Sequence, residues 1–116
     1  MVADDNEDAR DMLRLVLEQQ GYEVVPVEDG QHALDAIAAL EPDVAILDIG
    51  MPGLDGYEVA RRLMGWNRRS RPFLVAFSGF GRPEDKLRAA AAGFDQHFTK
   101  PADIDALIRT VEKRLH

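Results

Sequence analysis

Apolar positions along this 116-residue chain alternate between two spacings, and the alternation predicts five strands and five helices. A short stub, Met1-Val2-Ala3, runs into Asp4-Asp5-Asn6. Ala9, Met12, Leu13, Val16 and Leu17 then recur at helical spacing, with Gly21 as a stop after Gln20. Tyr22 to Val27 is rich in β-formers, and Pro26 points to an edge or irregular strand. Asp29-Gly30 predicts a turn, after which Ala33, Leu34, Ile37, Ala38 and Leu40 mark a second helix that ends before Pro42. Val44 to Leu47 is a continuous apolar run ending at Asp48, the pattern of a strand buried on both faces.

Met51 to Gly56 reads as a loop by its Pro and Gly content. A third helix carries Val59, Ala60, Leu63 and Met64, and Phe73 to Phe77 is the next strand, ending at Ser78-Gly79. Pro83 suits a helix first turn, with Glu84 and Asp85 complementing the dipole; Leu87, Ala90 and Ala91 lead on to Gly93. Gln96 to Thr99 is a short strand before Lys100-Pro101, and Ile104, Leu107, Ile108, Val111 and Leu115 form a last helix. Strict βα alternation with short connections predicts an α/β fold. It is a doubly wound, five-stranded parallel sheet of flavodoxin-like order 2-1-3-4-5, with five helices on its two faces, filling residues 1–116 as one domain. Ligands of such a sheet bind beyond the carboxyl ends of the strands.

Composition narrows the function classes. Hydrophobic residues make up 46% of the chain and charged residues 30%, an ordinary globular balance. No cysteine is present, which excludes disulfide scaffolds and cysteine-ligated metals. No apolar run approaches the roughly 18 residues of a membrane span, and no basic-then-apolar leader opens the chain. The expectation is a cytoplasmic domain that does not itself engage a membrane, within a protein that can be longer. The formal net charge is −7, made of −13 in residues 1–58 and +6 in residues 59–116, and it argues against nucleic-acid binding. The basic cluster Arg61, Arg62, Arg68, Arg69 and Arg71 reads as a solvated helix face and turn.

The acidic excess cannot be spread out, because the predicted sheet gathers part of it. Strand 1 ends in Asp4-Asp5, strand 3 in Asp48, strand 4 in Ser78 and strand 5 in Lys100. Strands 1 and 3 are neighbours about 5 Å apart, so Asp4, Asp5 and Asp48 converge. Carboxylates in one pocket repel unless one is protonated or a cation enters. Their oxygen-only donor set suits a hard ion such as Mg²⁺. Metal, a fixed ammonium, a rotatable hydroxyl and a nucleophilic carboxylate together describe a phosphoryl-transfer site.

The runs Asp4-Asp5-Asn6, Leu47-Asp48-Ile49-Gly50-Met51-Pro52-Gly53-Leu54-Asp55-Gly56, Ala76-Phe77-Ser78-Gly79 and Thr99-Lys100-Pro101 stand in this order, each pair separated by the expected elements. They resemble the receiver domain of two-component response regulators over essentially the whole chain. The loop after the third strand and residues 79–85 are similar to receivers of hybrid sensor kinases. The resemblance implies that Asp48 accepts a phosphoryl group from a partner phosphohistidine, on a histidine kinase or a histidine phosphotransfer domain. It implies Mg²⁺ or Mn²⁺ bound by Asp5, by Asp4 largely through water, by Asp48 and by the Gly50 carbonyl. Ser78 would bond a phosphoryl oxygen, and Lys100 would pair first with Asp48 and then with phosphate. Pro52 and Gly56 would shape the loop, and a cis Lys100-Pro101 bond would aim the ammonium at Asp48. Phosphorylation would then be sensed by a downstream output domain or protein on the face made by helix 4, strand 5 and helix 5.

Two departures from the family stand out. The first strand is a stub where relatives carry several more apolar residues, so it is expected to be short or weakly held. His97 occupies a position usually held by Tyr or Phe, and is expected to stay partly exposed and to act as a loosely coupled switch. No histidine is expected within the acidic cluster; His32 and His116 read as solvent-facing, and Tyr57 and Trp66 as packing residues. A haloacid-dehalogenase-type phosphatase would need an acid where Gly50 stands, and a nucleotide-binding loop would need a Gly-rich phosphate motif after strand 1. The rival within the family is a degenerate receiver that docks partners without phosphorylation.

Overall fold

The computed structural model describes residues 1–66, 71–79, 83–100 and 103–115. In chain order the elements are β1 Val2–Ala3, α1 Glu7–Gln19, β2 Pro26–Val27, α2 Gly30–Leu40 and β3 Val44–Asp48. There follow α3 Gly56–Met64, β4 Phe73–Ser78, α4 Pro83–Ala92, β5 Gln96–Thr99 and α5 Ile104–Leu115. All pairings are parallel, in the order β2-β1-β3-β4-β5. This is the predicted flavodoxin-like sheet, with the topological switch between β1 and β3.

Residues alternate across the sheet and so build two cores. Ala45 and Leu47 of β3, with Leu74 and Ala76 of β4, pack with Ile37 of α2, Leu63 of α3 and Ala89 and Ala92 of α4. Val44 and Ile46, with Val75 and Phe77, pack with Leu13 and Leu17 of α1 and Leu107 and Val111 of α5. The strands are therefore apolar on both faces, as their unbroken apolar runs require.

β1 is short, as expected, yet it lies at the centre of one half of the sheet. Val2 and Ala3 are buried, and each is registered with both β2 and β3. Backbone pairing extends past both ends: the Ile46 N–H donates to the Met1 carbonyl at 2.9 Å, and the Asp4 N–H to the Val27 carbonyl at 3.2 Å. The shortness of β1 also corrects β2, which was expected over Tyr22–Val27. Only Pro26 and Val27 find strand partners, because β1 offers just Val2 and Ala3 opposite them. Tyr22 and Val24 turn their side chains to the α1–α5 core instead. Pro26 does sit on an edge strand.

Several apolar positions face water. Met12, Leu40, Met64 and Leu87 are exposed. Helix α4 buries Ala89 and Ala92, while Leu87, Ala90 and Ala91, the apolar residues that mark it in the sequence, are exposed. Four consecutive alanines give the pattern no phase of its own, and the helix settles on an i,i+3 pair of small side chains. Asp29-Gly30 is the start of α2 and not a free turn: Asp29 caps the helix, its carboxylate accepting the His32 N–H at 2.8 Å. Arg61 and Arg62 lie on the solvated face of α3 beside Glu58, while Arg68 and Arg69 lie outside the described residues.

The loop after β3 is anchored by a backbone contact that leaves no room for a side chain. The Gly56 N–H donates to the Ile49 carbonyl at 3.1 Å. A Cβ on Gly56 would stand 2.8 Å from Ile49 Cα and 3.0 Å from the Asp48 carbonyl. Gly56→Ala should therefore destabilise the protein by about 2 kcal/mol in urea unfolding, the scale of an overpacked core. Gly65→Ala, whose Cβ would meet only Arg62 O at 3.6 Å, should stay within about 0.5 kcal/mol.

Candidate functional site

The carboxyl ends of β1, β3 and β5 bring acid and base together. Asp4 follows Ala3, which is registered with Leu47; Asp48 ends β3. Asp4, Asp5 and Asp48 each offer a carboxylate oxygen, all within 4.8 Å of one another. Asp4 and Asp48 are buried, and Asp5 is exposed at the mouth. Lys100, directly after β5, places its ammonium between the two buried acids. Nζ lies 3.2 Å from Asp4 Oδ2 and 3.5 Å from Asp48 Oδ1. The ammonium bridges both carboxylates and is nearer to Asp4.

Local backbone groups hold the two buried acids in place. The Asn6 N–H donates to Asp4 Oδ1 at 2.9 Å, while the Asn6 side chain caps α1 by accepting the Ala9 N–H. The Gly50 N–H donates to Asp48 Oδ1 at 3.2 Å. Arg10 donates to the Asp4 carbonyl at 2.9 Å, which ties the first turn of α1 to the end of β1. Burial pushes the Asp48 carboxyl above the usual carboxylate range. The Gly50 N–H pulls it back, the Asp4 charge raises it, and Lys100 lowers it.

Ser78 is buried at the end of β4, one residue beyond Phe77, which is registered with Asp48. His97 Nε2 lies 2.9 Å from its Oγ. His97 is half-buried, in keeping with the expected partial exposure, and its ring lies outside the acidic cluster but bonded to Ser78 beside it. The register contains the signal: Thr99 is opposite Ser78, so His97 is its diagonal neighbour on the same sheet face. Burial and the charge of Lys86 depress the imidazole pKa, and Asp85 partly opposes them. Of the loop residues, Pro52 is exposed and Gly56 is buried beneath the loop. Pro101, and with it the expected cis peptide bond, lies outside the described residues, as does His116.

The other aromatic and histidine expectations resolve simply. Tyr57 is buried with the Arg88 guanidinium 4.1 Å over its ring, and Trp66 packs half-buried against the α2–α3–α4 core. His32 is solvent-facing and paired with Asp29.

A family model described as the response regulator receiver domain matches residues 1–112. The chain belongs to this family. It is 37% identical, over 93% of its length, to the transcriptional regulatory protein KdpE of Mycobacterium tuberculosis, of which it spans 46%. It is 31% identical, over 96% of its length, to the CAI-1 autoinducer sensor kinase/phosphatase CqsS of Vibrio cholerae, of which it spans 16%. The solved receiver domain of the Francisella response regulator 1452 superposes with a TM-score of 0.90 at 29% identity, covering 97% of this chain and 92% of that one. The chain thus spans less than half the length of these two sequence relatives.

This receiver domain is a phospho-accepting module of two-component systems, a signalling domain and not a typical enzyme. Receiver domains bind Mg²⁺ at an acidic pocket, and Asp4, Asp5 and Asp48 form an acidic cluster at the strand ends of this one. They act with histidine kinases or phosphotransfer proteins and with output domains. Among the described residues no helix is long and apolar enough to cross a membrane.

The electrostatics yield a pair of opposite effects in metal-free buffer. Because the Asp48 pKa is raised on folding, the folded protein binds more protons than the unfolded chain between the two pKa values. Stability is therefore lost as pH rises through the folded value. Asp48→Asn should raise Tm at pH 7, by about 4–8 °C per kcal/mol of relieved desolvation and repulsion, with the gain shrinking as pH is lowered toward 4. Lys100→Met, which leaves two buried acids without their cation, should lower Tm at pH 7. Melts of the two variants across pH check both signs.

Proposed function

We propose that Asp48 is the phosphoryl acceptor of this receiver domain and that residues 1–116 form one such domain. The observation that carries the reading is the convergence of Asp4, Asp5, Asp48 and Lys100 at one edge of the sheet, with Lys100 shared between the two buried acids. In the transfer, an Asp48 carboxylate oxygen attacks phosphorus and the P–N bond of the partner's phosphohistidine breaks. The new bond is an acyl phosphate, and the imidazole leaves with the electron pair and takes up a proton.

The donor set fits Mg²⁺: three carboxylates and a carbonyl, with neither nitrogen nor sulfur among them. Asp5 would hold it directly, Asp4 largely through water, with Asp48 and the Gly50 carbonyl completing the protein's share. When bound, the ion supplies charge neutralisation at the oxygens of the transferring group. The protein's own groups do the rest. Lys100 offsets charge that grows on the phosphoryl oxygens, and Ser78 donates a hydrogen bond to one of them. The loop of Gly50, Pro52 and Gly56 keeps the acid's orientation fixed. The Gly50 N–H, held 3.2 Å from Asp48 Oδ1, is one contact that does so. The completeness of this set favours phosphorylation over docking alone.

Phosphoryl donors of the expected chemistry are histidine kinases and histidine phosphotransfer domains, and the reader is an output domain or protein. The same site catalyses its own acceptance and a slow hydrolysis. The parent is a cytoplasmic regulator or a hybrid kinase, the latter supported by the similarity to a sensor kinase/phosphatase.

Two measurements test the reading. Incubation with acetyl phosphate and Mg²⁺ should add one phosphoryl group to the wild type and none to Asp48→Asn by intact mass; a full adduct on the variant overturns the assignment. Mg²⁺ at a hundredfold excess over its Kd should stabilise the wild type by about 2.7 kcal/mol, and Asp5→Ala should lose nearly all of that gain. Unchanged wild-type melts would remove the metal site.

A further inference from the structure

Ser78 and His97 form a pair whose proton inventory is constrained. His97 Nε2 lies 2.9 Å from Ser78 Oγ, and the other ring nitrogen, Nδ1, is buried with no hydrogen-bond partner among the described residues. A neutral imidazole carries a single N–H, on one nitrogen or the other. Placed on Nδ1, it would be a buried donor with no acceptor. Placed on Nε2, it meets Ser78 Oγ and leaves only a lone pair unfilled at Nδ1. Orphaned buried donors are rarer in proteins than under-satisfied acceptors, so the Nε2–H tautomer is the favoured one.

We propose that His97 is a positioning residue for phosphoryl transfer. Its Nε2–H donates to Ser78 Oγ and so turns the Ser78 hydroxyl proton toward an oxygen of the phosphoryl group on Asp48. The result is a directed chain, His97 N–H to Ser78 O–H to phosphoryl oxygen, in which each donor polarises the next. This rests on the reading of Ser78 as a phosphoryl ligand. A Phe at position 97 has no donor to offer, and a Tyr has one only at the far end of its ring. The sheet places the ring where the chain needs it, two residues before Thr99 and diagonal to Ser78 on one face. The charged groups of α4 that act on the imidazole are Lys86 and Asp85; with burial, their net effect favours the neutral ring that the tautomer argument assumes.

The test is a double-mutant cycle combined with a direct view of the proton. Acetyl phosphate and Mg²⁺ supply the phosphoryl group, and adduct formation is followed by intact mass. His97→Phe should slow phosphorylation about tenfold, the loss of one hydrogen bond that orients the Ser78 hydroxyl in the transition state. His97→Gln, which keeps an N–H donor, should remain within about threefold of wild type. In a Ser78→Ala background, His97→Phe should have no further effect. Long-range ¹H–¹⁵N spectra should show the Nε2–H tautomer at His97. An Nδ1–H tautomer, or an equal slowing by His97→Phe with and without Ser78, overturns the proposal while leaving Asp48 as the acceptor. Absence of any adduct on the wild type would remove the reading of the site and this proposal with it.

Discussion

Two carboxylates, Asp4 and Asp48, are taken out of water on adjacent strands and held there by one ammonium. Burying an ion costs several kcal/mol unless partners replace its hydration, and one cation cannot fully compensate two anions. The surrounding structure supplies the remaining contacts: the Asn6 N–H on Asp4, the Gly50 N–H on Asp48, and Lys100 bridging the pair. The site is left with a surplus of negative charge, and burial first, then the Asp4 charge, raises the pKa of Asp48. A divalent cation would relieve that surplus. The oxygen-only donor set is what suits the pocket to a hard ion.

The sheet imposes this juxtaposition. In a parallel α/β fold every strand delivers its last residue to the same edge, so a change from apolar to polar at each strand's end becomes a cluster in space. β1 contributes Asp4 although it is only two residues long, because it is flanked on both sides and its backbone is paired from Met1 to Asp4. The two cores clamp β3 and β4 from both faces and fix Asp48 relative to Phe77 and hence to Ser78.

What could be read from residues alone follows the same logic. The strands β3 and β4 and the acids at the strand ends were legible because each apolar run breaks abruptly into a polar residue. Strand β2 was not, since its length is decided by its partner: Tyr22 to Val25 have β-forming character but find too little of β1 opposite them. The phase of α4 was not legible either, because alanines at 89–92 fit several faces and only packing selects Ala89 and Ala92. Met12, Leu40 and Met64 lie at the margins of their helical stripes, where periodicity alone does not separate core from surface. The nearer approach of Lys100 to Asp4 depends on side-chain reach, which spacing does not encode. The contact between His97 and Ser78 depends on register, which was recoverable only by pairing Ser78 with Thr99 and stepping back two residues.

That register bears on how a change at the acid pocket leaves it. Ser78 and His97 stand on the sheet face that packs with α4, and the groups acting on the imidazole from that helix are Lys86 and Asp85. Helix α4 meets the core through Ala89 and Ala92, whereas α3 buries Leu63 and α5 buries Leu107 and Val111. Hydrophobic adhesion scales with apolar area, at about 25 cal/mol per Å², and an alanine presents far less of it than a leucine. Displacing α4 therefore costs less than displacing α3 or α5. A hydroxyl that turned toward a phosphoryl oxygen would pull first on the imidazole bonded to it, and the charged groups acting on that imidazole belong to α4, whose hold on the sheet is weaker than that of α3 or α5. With Asp48 as the acceptor, a displacement of Ser78 and His97 would meet less resistance at α4, built from alanine, than at α3 or α5.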